Sequence, residues 1–176
     1  MLAASFLLAW IAYKRGQAAE QQAAYRMIIA KGGATNFGPE SARPHWLRWI
    51  LGDDVAAQGA CAELSACKLT DAEVRQLTAL RNLSRLSLDR TPVTDQGVAF
   101  LPRFRHLKYL SLSETNISDA SLESLRACRE LEWLMVDRTR TTDAGIQKLR
   151  AALPGLTIVD ANDKEWQALN QPAQTK

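Results

Sequence analysis

The chain has 176 residues, enough for one domain with appendages. Its 22 Lys and Arg against 19 Asp and Glu leave a formal charge of +3, and the two signs alternate along the chain, so no basic footprint for nucleic acid stands out. Cys61, Cys67 and Cys128 are odd in number and form neither a C-x-x-C nor a Cys/His cluster, which argues against a disulfide framework and a zinc site and implies no cofactor.

Leu2 to Tyr13 reads Leu-Ala-Ala-Ser-Phe-Leu-Leu-Ala-Trp-Ile-Ala-Tyr and ends abruptly at Lys14-Arg15. The composition suits a membrane, but twelve helical residues rise only about 18 Å against about 30 Å of hydrocarbon. A cleaved signal peptide would need positive charge before the run and a small-x-small site after it, and neither is clear. Trp10, Tyr13, Lys14 and Arg15 instead fit the interfacial end of a spanning helix. Residues 1–15 are therefore expected to be the end of an anchor that begins before Met1, with the side of the membrane open. Residues 16–33, rich in Ala, Gln and Glu and stopped by Gly32-Gly33, read as a juxtamembrane helix that carries the chain away from the anchor. In 34–60, Gly38, Pro39 and Pro44 mark a loop or a short extended piece. Pro44 to Leu51, with Trp46, Leu47, Ile50 and Leu51, is expected to form a short helix that caps the open end of a repeat array.

That array spans residues 61–160. Leu83-Ser-Arg-Leu86-Ser-Leu88, Leu107-Lys-Tyr-Leu110-Ser-Leu112 and Leu131-Glu-Trp-Leu134-Met-Val136 recur at an offset of 24 residues, with Thr91, Thr115 and Thr139 three positions after each. This is the leucine-rich-repeat frame with Thr in the usual Asn or Cys position, and it predicts a stacked solenoid. Alternation points Leu86/Leu110/Leu134 and Leu88/Leu112/Val136 inward into a parallel-sheet core. Cys61-Ala62-Glu63-Leu64 joins in the same register. Each repeat then starts a helix at Thr70-Asp71, Thr94-Asp95, Ser118-Asp119 or Thr142-Asp143, with the hydroxyl as N-cap and the Asp on the positive end of the helix dipole. Val74/Leu77, Val98/Leu101, Leu122/Leu125 and Ile146/Leu149 turn the helices onto the strands. Leu153 to Val159 begins a last repeat and ends as a terminal strand, and 161–176 is a polar tail with Trp166 and Leu169.

The predicted architecture is thus α/β: a solenoid with a parallel concave sheet, helices on the convex side, a helical N-terminal cap and an N-terminal apolar helix. The four recurring Asp residues would be spread along the stack at helix starts, so capping accounts for them better than catalysis. Only His45 and His106 are available as histidines, no nucleophile sits beside a base and no phosphate-cradling loop follows a strand. No enzymatic activity is expected.

Where the inward columns agree, the outward ones vary: Arg85, Tyr109 and Trp133; Ser87, Ser111 and Met135; Asp89 and Asp137 about Ser113; Glu114 between Arg90 and Arg138. Variation inside a fixed frame marks the concave face as the surface for a protein partner or a second copy, with Tyr109, Trp133 and Met135 as its apolar patch. About five strands at 4.8 Å, each about four residues of 3.3 Å, give a face of order 300 Å². That is below the roughly 800 Å² per partner of a standard interface, so binding is expected to need help from the flanks, self-association or membrane confinement.

With these residues in place, the chain resembles a family of short bacterial leucine-rich-repeat proteins with one N-terminal membrane segment. The resemblance runs from Leu8-Ala-Trp10 through Gly32-Gly33, Trp46-Leu47-Arg48, Leu51-Gly52-Asp53-Asp54 and the Thr-Asp-x-Gly-Val/Ile helix starts to Ala152-Leu153-Pro154. It implies an anchored, single-pass protein and no particular activity. In that family the N-terminal segment runs longer and opens with basic residues, from which this sequence departs. The repeats are also similar to those of F-box proteins, the substrate-recognition subunits of ubiquitin ligases, although no F-box-like segment is recognisable between Ala34 and Asp54.

Overall fold

The computed structural model describes residues 2–36 and 60–160, the first half of the N-terminal helix as backbone. The capping helix expected over 44–51 and the tail 161–176 lie outside the described residues.

Helix α1 runs without a break from Leu2 to Ala30. Strand β1 (Ala34–Asn36) and β2 (Ala60–Glu63) come next. Helix α2 (Asp71–Leu77), β3 (Leu83–Ser87), α3 (Asp95–Val98) with a 3-10 turn at Leu101–Arg103, and β4 (Tyr109–Ser111) then alternate. Helix α4 (Asp119–Leu125), β5 (Trp133–Met135), α5 (Asp143–Ala152) and β6 (Thr157–Val159) complete the array. The strands form one sheet in chain order. Strands β2 to β6 are parallel, and residues 24 apart face each other: Ala62 with Leu86, Leu110 and Leu134, then Ile158. The parallel sheet and the helices packed on it make the chain a leucine-rich-repeat solenoid, because identical positions of successive repeats are neighbours in space.

The core is a stack of these columns. Leu64, Leu88, Leu112 and Val136 are buried, as are Leu86, Leu110 and Leu134 and the helix residues Val74, Leu77, Val98, Leu122, Leu125, Ile146 and Leu149. Cys67 lies buried in the Thr91/Thr115 column, and Cys128 with Leu80 and Phe104. Burial pushes the Cys128 thiol up to about 11, so it is a small apolar filler with no thiolate character. Thr91, Thr115 and Thr139 each donate a side-chain hydrogen bond to the carbonyl three residues back, at 2.6, 2.5 and 2.9 Å. That closes the turn that leaves each strand. In the last repeat Thr141, standing where Val93 and Ile117 are buried, is half-buried and bonds Thr139 at 2.8 Å.

The Asp residues of the helix starts do more than face a dipole. Asp71 accepts from the backbone N–H and hydroxyl of Thr94 (2.9 and 2.6 Å), Asp95 from those of Ser118 (2.8 and 2.6 Å), and Asp119 from those of Thr142 (2.8 and 2.7 Å). Each carboxylate therefore ties its own repeat to the N-cap of the next. Ser121 also donates to Asp95, whereas at the matching positions a Cβ on Gly97 or Gly145 would strike Asp71 or Asp119. The column accepts glycine or a hydroxyl that joins the bond, and little else.

Two of these carboxylates, Asp95 and Asp119, set an acid limit. The Asp119 pKa is lowered by the Thr142 backbone and side-chain hydrogen bonds. Burial raises that of Asp95, but the hydrogen bonds from Ser118 and Ser121 outweigh it and leave it lowered. A carboxylate held lower in the folded than in the unfolded chain adds stability that is complete above its unfolded value near 3.8 and is lost as pH falls through the folded value. Urea midpoints are expected to be flat from pH 7 to 5 and to fall below about pH 4, more steeply in wild type than in Asp119→Asn. Equal acid slopes would show that the ladder is not the group titrated.

At the N-terminal end the described residues that pack on the first repeat belong to α1 and β1. The helix expected to lead away from the anchor is the second half of α1, and it turns onto the first repeat. Ala24 and Ile28 are fully buried with Leu64 and Leu69 in one core, and Gln21 is 7% exposed. Lys31 donates to the Lys68 carbonyl at 2.9 Å and pairs with Glu73 at 2.7 Å. Gly32, at φ +81°, turns the chain, and β1 then pairs antiparallel with β2, Thr35 facing Ala62. The segment expected to be a loop or a short extended piece is thus extended at its start, as an edge strand against β2. Among the described residues no helix is long and apolar enough to cross a membrane.

Candidate functional site: the concave face

Strand alternation aims every second side chain out of the sheet, and parallel stacking lines these side chains up in rows. In the first row Cys61, Arg85, Tyr109, Trp133 and Thr157 are neighbours across β2 to β6. In the second, Glu63, Ser87, Ser111, Met135 and Val159 are neighbours. The two rows line a trough of about 540 Å³ that includes Arg85, Ser87, Tyr109, Ser111, Trp133 and Met135. Tyr109, Trp133 and Met135 are half-buried and Arg85 is exposed.

Two pairings were not legible in the repeats. The Arg85 guanidinium lies over the Tyr109 ring, 4.3 Å from its centroid, which covers part of the aromatic patch with a cation. Asp89 sits in the turn after β3 and gathers the hydroxyl of Ser111 (2.5 Å), the backbone N–H of Ser113 (2.8 Å) and the hydroxyl of Ser87 (3.2 Å). Asp89 thereby fixes the two serines of the trough floor and clamps the second repeat to the third.

The remaining sequence-derived residues fall on the rim and do not line the trough. Arg90, Glu114 and Arg138 occupy the same turn position 24 residues apart, with φ of 56°, 57° and 53°. Arg90 and Arg138 both reach Glu114, at 3.2 and 3.6 Å, so Glu114 is the centre of a rim ladder. Asp137 faces its own neighbour Arg138 at 3.7 Å. These pairs are exposed and contribute little to stability. On the opposite edge Lys108 pairs with Glu132 at 2.7 Å and His106 with Glu130 at 3.2 Å, so His106 faces solvent beside a carboxylate.

Comparison with known proteins gives partial matches. No family model and no curated protein matches the chain. Among solved structures it is similar to an internalin C2 of Listeria monocytogenes, at 26% identity over 51% of this chain and 39% of that one, TM-score 0.41. It is also similar to a leucine-rich-repeat protein of Leptospira interrogans, at 18% identity over 48% and 21%, TM-score 0.39. A second Listeria internalin matches at 20% identity over 52% and 31%, TM-score 0.37. The chain spans between about a fifth and two fifths of the length of these proteins. Its own repeat frame and strand register, not these superpositions, define the solenoid.

Proposed function

We propose that this chain is a protein-interaction module that docks a partner on its concave sheet, performs no catalytic step and is held at a membrane by its N-terminal apolar segment. The observation that carries the docking reading is the trough itself. Its floor holds Tyr109, Trp133 and Met135, large apolar groups that a regular strand aims away from the core, where solvent contact has no stabilising return. Aromatic side chains of this kind supply most of the energy of small interfaces. The rim ladders leave the trough open and keep its edges polar, as an interface rim requires.

The membrane part rests on Leu2 to Tyr13 followed by Lys14-Arg15. Apolar on every face, such a run has no polar side with which to lie along a membrane surface, and it suits insertion end-on.

Exchanging Tyr109 and Trp133 together for Ala is expected to weaken capture of protein partners from a cell lysate at least tenfold, with an unchanged circular-dichroism spectrum. Equal capture by the double variant would remove the concave face from the function. The same patch also permits self-association. In that case, sedimentation would show concentration-dependent dimers that the double variant loses. Flotation with anionic phospholipid vesicles tests the anchor, and Leu7→Glu with Leu8→Glu is expected to leave the chain at the bottom of the gradient.

A further inference from the structure

The charge inside the trough says what a partner must bring. Arg85 stands in it, exposed, with its guanidinium over the Tyr109 ring at 4.3 Å. Among the described residues no carboxylate or carbonyl accepts from it. Its neighbours in the row are Cys61 and Tyr109, and the anionic rim residues are engaged elsewhere: Asp89 with Ser87, Ser111 and Ser113, and Glu114 with Arg90 and Arg138. Contact with the ring restrains the guanidinium before any ligand arrives, which cuts the ordering cost of binding. Its planar fork of N–H donors matches a carboxylate, which it can hold by two parallel hydrogen bonds.

The rest of the lining gives that ligand a direction. Glu63 lines the β2 end of the trough and repels a carboxylate there. Towards β5 the lining is neutral, with Ser111, Trp133 and Met135. Trp133 lies two strands from Arg85, about 10 Å at 4.8 Å per strand, or about three residues of extended peptide at 3.3 Å each. Resting on the docking reading above, we propose that the trough takes an acidic peptide segment in which a carboxylate lies about three residues from a bulky apolar side chain. The carboxylate sits on Arg85, and the apolar group sits on Trp133 and Met135.

Panning a random-peptide phage library on the full chain tests this. The expected result is enrichment of Asp or Glu two to four positions from an aromatic or branched aliphatic residue. The winning synthetic peptide should bind Arg85→Gln about tenfold or more weaker, and its own acid-to-amide analogue should be weakened alike. Arg85 is exposed and makes no hydrogen bond within the described residues, so the variant keeps the fold, which circular dichroism checks. Winners that lack acids, bind Arg85→Gln as well as wild type and fail only on Trp133→Ala would overturn the carboxylate assignment and leave the docking reading standing. Winners indifferent to both substitutions, or no enrichment at all, would overturn both.

Discussion

Replacing Asp95 with Ala is expected to lower the unfolding free energy by about 3 kcal/mol and to broaden the urea transition. The carboxylate accepts from the Ser118 backbone N–H, the Ser118 hydroxyl and the Ser121 hydroxyl, and Ser121 is fully buried. Removing one acceptor leaves several partly buried donors without a partner, each loss worth about 1 to 3 kcal/mol, and water entering the gap recovers part of it. The consequence for cooperativity comes from the solenoid. Each repeat touches only its neighbours, so stability is close to a sum of repeat terms and interface terms. Asp95 is an interface term, joining α3 to the N-cap of α4. Weakening it uncouples the second repeat from the third, and the slope of unfolding against urea should fall together with the midpoint. Glu123, exposed on α4, pairs with Arg126 inside its own repeat, and Glu123→Ala is expected to cost less than about 1 kcal/mol. An equal loss at both positions, measured by urea titration, would mean that Asp95 does not join the two repeats.

The same ladder shows what was legible in the sequence. A strict 24-residue period fixes register, because parallel stacking makes equal positions neighbours, and so Leu86, Leu110 and Leu134 could be placed side by side from the repeats alone. Helix starts were legible from Thr70, Thr94, Ser118 and Thr142, all N-caps. Less visible were relations between unlike residues of different repeats. Asp71 bonding Thr94, Arg85 stacking on Tyr109 and Glu114 taking both Arg90 and Arg138 each link positions 23 or 24 residues apart that have no chemical identity in common. A period reports sameness, and these contacts depend on difference. The trough residues could be named because outward positions alternate with inward ones. Glu114 was grouped with them because its turn takes a left-handed conformation that no glycine announces, and that conformation sends it to the rim. The packing of α1 was less visible because Gln21 is polar and Ala24 small, with Ile28 as the large apolar residue of that face; the cap expected over 44–51, with Trp46, Leu47, Ile50 and Leu51, lies outside the described residues.

The packing of α1 carries the second large effect. Ile28→Asp is expected to destabilise the chain by about 4 kcal/mol or more and to expose apolar surface to a dye such as ANS. Ile28 is fully buried against the first repeat, and Gly33 is packed so tightly between Ile28 and Leu64 that a Cβ there would collide with both. A carboxylate at position 28 would sit among apolar groups, and Lys31, one turn on, is already paired with Glu73, so the carboxylate must either be buried, take Lys31 from Glu73, or pull α1 away. Pulling α1 away also breaks Lys31 from Glu73 and from the Lys68 carbonyl and frees Leu64 and Leu69 to water. An effect of that size is a large part of the 5 to 15 kcal/mol that holds a typical domain. Ile29 supplies the control. It is the next residue on the same helix, 69% exposed, and Ile29→Asp adds the same charge with an expected change within about 0.5 kcal/mol. The contrast separates capping from charge. If both variants unfold at the same urea concentration, α1 does not close the stack, and the first repeat must find its cover outside the described residues.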